Sequence, residues 1–246
     1  MTAQAIPAYR QHCMLLKQLY RLNRRLGVSI VPPCGAGYLA GSRPLGGSAE
    51  NFPMLRPLRD GMRYYERRLP HFDVVGQPLF VTFRLFDSLP GNRVFLPEAL
   101  TSGRAFVQMD RMLDQAQTGP RHLSTPEIAA MVVDALLDGE RRFGRYQLDS
   151  FVVMPNHVHL LVTPSVPSAK WLRTLKGFTA HEANAILGRT GNPFWKSESY
   201  DHLVRPGEFD RIRRYIDNNP VKAGLVASPE DFLWSSARAC WKQAAG

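Results

Sequence analysis

From about residue 63 onward the apolar positions of this chain switch between a two-residue and a three-to-four-residue spacing, and the switches mark elements. Residues 79 to 85 (Leu-Phe-Val-Thr-Phe-Arg-Leu) are rich in β-branched and aromatic side chains and follow the turn-prone Gly76-Gln77-Pro78, which predicts a strand. Residues 97 to 117 mix the two patterns and fit a helix only in part. Ser124-Thr125-Pro126-Glu127 has the form of a capping box with proline early in the first turn. Ile128, Met131, Val132, Ala135 and Leu136 then recur at helical spacing, predicting a helix to about Arg142. Residues 146 to 154 and 157 to 163 read as strands of a hairpin turned at Pro155-Asn156. Residues 168 to 187 place Trp171, Leu172, Leu175 and Phe178 on one helical face, with Gly188 as a stop. Residues 194 to 204 supply a fourth strand. Pro206 then suits a first helical turn, and Phe209, Ile212 and Ile216 form the buried stripe of a third helix.

The resulting order, β-α-β-β-α-β-α, describes a ferredoxin-like α+β sandwich: a four-stranded antiparallel sheet with helices on one face, plus a C-terminal helix carrying Tyr215. No internal repeat interrupts it. Upstream, residues 31 to 53 are dense in glycine and proline and follow neither period, so residues 1 to 62 read as a basic, poorly ordered extension and residues 63 to 246 as the folded domain. Within the extension, residues 9 to 26 fit a short basic helix with Leu15, Leu16, Leu19 and Leu22 on one face and Arg21, Arg24 and Arg25 nearby. A natural start at Met62 is an alternative.

The chain has 246 residues, 44% of them hydrophobic, enough for a real core. Its net charge of +10 and pI near 9.9 concentrate polyanions around it, which puts nucleic acid first among partners and a merely solvated basic surface second. Cys13, Cys34 and Cys240 are scattered and odd in number, which supports neither a disulfide framework nor a zinc ribbon and fits a reducing cytoplasm. No window approaches the ~20 apolar residues of a membrane span.

Two places carry candidate chemistry. His157 and His159 flank one apolar residue on a predicted strand, so both imidazoles face the same side and can share a metal ion. Two nearby histidines on a half-buried strand also occur without any ion. Tyr215 and Asn219 lie about one helical turn apart, so a phenol and a carboxamide oxygen can face one site. Taken singly, Tyr215 also fits an amphipathic edge residue, and Asn219 a helix C-cap, since Pro220 pushes it out of helical geometry. Tyr200 is a competing nucleophile whose plainer reading is a strand residue packed on the core. His181 and His202 read as structural or close to nucleic acid, not as ligands.

These residues resemble a family. Met154-Pro155-Asn156-His157-Val158-His159, then Tyr215-Ile216-Asp217-Asn218-Asn219-Pro220-Val221-Lys222-Ala223-Gly224-Leu225-Val226, and finally Trp234-Ser235-Ser236 are similar to the REP-associated tyrosine transposases of the single-tyrosine HUH superfamily. The blocks around Arg67 to His71, Phe80 to Leu85 and Phe194 to His202 belong to the same resemblance, which spans about residues 63 to 241. It implies a ferredoxin-like core acting on single-stranded DNA, often at hairpin-forming palindromes. It also implies His157 and His159 as the metal-binding histidines, Tyr215 as nucleophile and Asn219 as the amide completing the metal site.

The implied activity is a metal-dependent single-stranded DNA endonuclease and strand transferase that forms a 5′-phosphotyrosine bond and a free 3′-hydroxyl. Mg²⁺ or Mn²⁺ is the expected ion, and two imidazoles favour Mn²⁺. For DNA contact the sequence offers Arg67, Arg68, Arg84, Lys170, Arg173, Lys176, Lys196, Arg205, Arg213, Arg214 and Lys222, with Trp171, Trp195 and Trp234 as stacking faces. A noncatalytic, sequence-specific DNA-binding regulator is the alternative, and a replication-initiating nuclease a distant third. A monomer and a homodimer fit equally, acting in the cytoplasm at the nucleoid.

Overall fold

The runs at residues 79–85 and 157–164 are buried at almost every position, and a strand buried on both sides is stable only between two covering layers. The computed structural model describes residues 56–57, 63–66, 70–89, 102–115 and 119–238, with side chains described at 74–89, 106–115 and 119–238. In chain order the elements are β1 (Arg56–Pro57), β2 (Arg63–Glu66), β3 (Pro70–Asp73), β4 (Leu79–Leu85), α1 (Ser102–Asp114), α2 (Pro126–Arg141), β5 (Tyr146–Val153), β6 (His157–Pro164), α3 (Ser168–Ile186), β7 (Trp195–Leu203) and α4 (Phe209–Lys222). The basic helix expected over residues 9 to 26 and the glycine- and proline-rich stretch lie outside the described residues.

The strands β1, β2 and β3 form a small antiparallel sheet. The main sheet is antiparallel in the order β5-β6-β4-β7, so its first strand in sequence lies between the third and the fourth. That is the ferredoxin-like order, as the sequence pattern predicts. One face carries Val81, Phe83 and Leu85 of β4 with Val158 and Leu160 of β6 in register, all buried. It packs under α2 and α3: Tyr146 donates a hydrogen bond to the Leu136 carbonyl at 2.9 Å, and Trp195 Nε1 donates to Thr179 Oγ1 at 2.9 Å.

The opposite face is also covered. Phe80, Val152 and Leu161 form one apolar cluster with Phe106 of α1 and with Ile212 and Ile216 of α4. The predicted sandwich therefore gains a third layer, and its extra member is α1, from the segment whose sequence signals were mixed. Beyond α4, the chain returns along the free edge of β5: Val153 N–H donates to Trp234 O at 2.8 Å, and Ser236 N–H donates to Phe151 O at 2.9 Å. The sheet edge is thereby paired rather than open.

Several local expectations are corrected. Ser124 does not cap α2. His122–Ser124 form a 3₁₀ turn and Thr125 is the N-cap, with no side-chain hydrogen bond. The last helix begins at Phe209, not Pro206, because Gly207 between them takes φ +82°, a left-handed conformation that no helix continues. Glu208 is the N-cap, and its carboxylate accepts from Arg205 N–H at 3.1 Å. Asn219 is not at a frayed end. Pro220 sits inside α4, and Asn219 is fully buried within the helix. Trp171, Trp195 and Trp234 are buried in the core and are unavailable as stacking faces.

Candidate metal and tyrosine site

The site lies where β6, β4, α1 and α4 meet, and it begins with strand parity. His157 and His159 point to the face under α1 and α4, while Val158 between them points to the α2 and α3 side. Both imidazoles are fully buried, with Nε2 atoms 3.0 Å apart.

Each ring is held by its other nitrogen. Asn156 donates its amide to the Leu113 carbonyl at 2.9 Å, so its oxygen is the atom 2.7 Å from His157 Nδ1. That oxygen can only accept, which places the proton on His157 Nδ1 and leaves Nε2 as a lone pair. Burial, then the neighbouring His159, lower the His157 pKa to about 3, so the ring stays neutral. Across the sheet, Thr82 Oγ1 lies 2.7 Å from His159 Nδ1.

Helix α1 brings a carboxylate that the sequence reading did not include. Asp110 Oδ1 lies 3.0 Å from His159 Nε2 and 3.7 Å from His157 Nε2. Asp110, His157 and His159 each offer one ligand atom, all within 4.8 Å of one another and all from buried residues. The legible signal was the spacing: Phe106, Asp110 and Leu113 share one helical face, and all three are buried, which sets a charge inside an apolar stripe. One turn further, Asp114 Oδ1 is 3.9 Å from His157 Nε2.

Helix α4 brings the predicted pair. Tyr215 and Asn219 do share a face: the Tyr215 hydroxyl donates to Asp110 Oδ2, and Asn219 Nδ2 donates to the same oxygen at 3.3 Å. Asn219 Nδ2 also lies 3.3 Å from His159 Nε2. The four residues named from sequence therefore meet at one point, with Asp110 at its centre. Lys222 places its ammonium 4.2 Å from the centroid of the Tyr215 ring.

The ionisable groups of the site perturb one another. Burial raises the Asp110 carboxyl pKa, but His159 and His157 and the Tyr215 hydrogen bond outweigh it and hold the group well below its ordinary value. Burial and the Asp110 charge push Asp114 up to about 7. Burial, then the charge and hydrogen bond of Asp110, push the Tyr215 phenol well above its ordinary value. Asp110 Oδ1, Asp114 Oδ1 and Asn219 Oδ1 are buried and accept no hydrogen bond among the described residues. Leaving such an oxygen bare costs about 1–3 kcal/mol. Asp110 Oδ1, bare and facing both imidazole Nε2 atoms, forms with them a donor set for a divalent cation, so these residues fit the group that the motif resemblance implies.

The remaining sequence candidates are dispersed. Tyr200 is packed against Phe106, ring centroids 4.3 Å apart, and burial pushes its phenol up to about 12. His202 lies 2.9 Å from Glu208, and His181 is exposed on α3. Lys176 donates to the Lys196 and Ser197 carbonyls, and Lys196 sits over Phe86. Arg84 stands on the site face of β4 opposite His157 and donates to Ser88 Oγ at 3.1 Å. Arg205, Arg213 and Arg214 are exposed, and Arg67 and Arg68 lie outside the described residues.

No family model matches the chain, and no curated protein does. Several solved structures are similar to it, two of them as follows. One is a REP-associated tyrosine transposase bound to a REP hairpin, 17% identical over 72% of this chain and 87% of that one, with a TM-score of 0.47. The other is a Deinococcus radiodurans protein named as a transposase, 18% identical over 63% of this chain and 95% of that one, with a TM-score of 0.33. No helix among the described residues is long and apolar enough to cross a membrane.

Proposed function

We propose that this protein is a metal-dependent single-stranded DNA endonuclease and strand transferase with Tyr215 as its nucleophile, acting at palindromic or hairpin-forming DNA. The observation that carries the reading is the shared carboxylate: the Tyr215 hydroxyl and both histidine Nε2 atoms converge on Asp110.

A divalent cation, Mg²⁺ or Mn²⁺, would be held by His157, His159, Asn219 and Asp110, and supplies positive charge against the nonbridging oxygens of the scissile phosphate. Tyr215 Oη attacks phosphorus. A P–Oη bond forms, the P–O3′ bond breaks, and the phenolic proton ends on the departing 3′-oxygen. The product is a 5′-phosphotyrosine and a free 3′-hydroxyl. A second 3′-hydroxyl reverses the exchange with no net loss of phosphodiester bonds, which gives strand transfer in place of hydrolysis. Arg84, Arg205, Arg213, Arg214, Lys176 and Lys196 are proposed to hold the DNA backbone, joined by Arg67 and Arg68. Residues 63 to 246 are proposed as the transposase domain, as a monomer or homodimer.

The test is incubation with labelled single strands carrying hairpin-forming palindromes, with Mn²⁺ or Mg²⁺, comparing the natural chain with Tyr215→Phe on a denaturing gel. The expected result is a protein-linked DNA band that Tyr215→Phe loses while still binding DNA. Binding without cleavage by either protein supports a noncatalytic DNA-binding regulator instead.

A further inference from the structure

Resting on that reading, we propose that Asp110 is a positioning residue for the nucleophile: one carboxylate oxygen faces the cation position while the other holds the Tyr215 hydroxyl, so helix α1 is part of the active site. The motif resemblance names no residue of this helix.

The division of labour is visible atom by atom. Oδ1 is the oxygen nearest both histidine nitrogens, and it accepts no hydrogen bond among the described residues. Oδ2 accepts from Tyr215 and from Asn219 Nδ2. The second of these bonds matters because it comes from a residue one helical turn beyond Tyr215. It fixes which oxygen turns toward α4, and so keeps the other turned toward the histidines. A carboxylate serving only as a ligand needs neither donor, and one serving only as an anchor for the tyrosine has no reason to leave Oδ1 bare in a buried site.

The backbone under Asp110 is pinned on both sides. One turn earlier, Phe106 meets Phe80 edge-on with centroids 5.3 Å apart and stacks on Tyr200. Three residues later, the Leu113 carbonyl accepts from buried Asn156, the same side chain that orients His157. A metal ligand and the support of α1 therefore share one amide. The Tyr215 ring is itself walled by Phe80, Phe106 and His159 at 6.1, 6.2 and 5.8 Å between centroids, which leaves the hydroxyl as its one polar end. Misplacement of an attacking atom by about 1 Å costs on the order of a hundredfold in rate.

Two measurements test this. In metal-free protein, a double-mutant cycle of Asp110→Asn and Tyr215→Phe read by thermal unfolding is expected to be non-additive, the double variant melting close to one of the singles. Additive shifts overturn the contact. With saturating Mn²⁺ and the palindromic single strands, Asp110→Asn is expected to form the protein-DNA adduct about a hundredfold more slowly than the natural chain. Recovery of the natural rate at saturating Mn²⁺ overturns the positioning role and leaves Tyr215 as nucleophile. Absence of adduct from the natural chain overturns both proposals. Should Asp110→Asn fail to fold, judged by circular dichroism, Asp110→Ser takes its place in both measurements.

Discussion

Thr82 and His159 face each other across the β4–β6 pairing with Oγ1 and Nδ1 2.7 Å apart, so the orientation of a buried imidazole is set by a hydroxyl on the neighbouring strand. The arrangement turns Nε2 toward His157 and Asp110. Partners of this kind, bonded to the back of a ligand ring, typically change metal affinity by ~10–100-fold when removed. Thr82→Val keeps the shape and the strand propensity but deletes the hydroxyl. We expect Mn²⁺ affinity, measured by isothermal titration calorimetry, to fall within that range. Unchanged affinity would show that packing alone orients the ring.

A cation that binds the folded chain alone must raise its stability. At roughly 100 times its dissociation constant, an ion adds about 2.7 kcal/mol, which for a domain of this size raises the melting temperature by roughly 5–10 °C. Mn²⁺ is expected to produce such a shift in the natural protein and none in His157→Ala. Asn219→Ala and Asp110→Ala each reduce it, and the larger reduction identifies the principal oxygen donor. A shift that persists in His157→Ala would place the ion elsewhere.

Acid sensitivity follows from the same ring. The pKa of His157 is about 3 in the folded chain against an ordinary 6.5, lowered by burial and then by His159. As pH falls below 6.5 the unfolded chain takes up a proton that the folded chain refuses until about 3. The stabilising contribution of the neutral ring is thus fully present above 6.5 and is lost progressively towards 3. Metal-free melting temperatures should fall across this window, and His157→Gln should flatten the fall by close to one proton. An unchanged slope in the variant would reject the assignment.

Tyr200 separates packing from chemistry. It stacks on Phe106 and meets Phe80 at 6.3 Å between centroids. Tyr200→Phe should leave adduct formation intact. Tyr200→Ala should lower stability by about 2 kcal/mol in a urea titration, since a partly buried ring costs less than the ~3–5 kcal/mol of a fully buried one. Loss of adduct in Tyr200→Phe would move the nucleophile to β7.

Arg213 and Arg214 are exposed on α4, the helix that carries Tyr215. If each neutralises a phosphate, replacing both with alanine should weaken binding across sequences and lower the slope of log affinity against log salt by about 0.7 per residue on single strands. Fluorescence anisotropy at several salt concentrations measures this. An unchanged slope would mean the DNA runs over another surface.

Features that depend on backbone period alone were legible in the chain. Strand parity put His157 and His159 on one face, helical spacing put Tyr215 and Asn219 on another, and both hold because they depend only on backbone period. The order of strands was also legible, since each apolar run had its own length and turn signals. Helix starts were less so: at Gly207 a backbone conformation with positive φ ended the pattern that Pro206 had suggested. The centre of the site was decided only by tertiary structure. Asp110 stands 105 residues from Tyr215 and 109 from Asn219 in sequence, on a helix whose own pattern was mixed. Its charge is buried because α1 must cover the apolar side of β4 and β6 beside α4, and nothing local to residues 97 to 117 reports which surface awaits it. The same packing buries Trp171, Trp195 and Trp234 in the core, where the sequence had offered them as stacking faces. Apolar area is satisfied by whatever surface the fold presents, whereas a carboxylate is held inside only where particular partners meet it, and those partners came from two distant parts of the chain, β6 and α4.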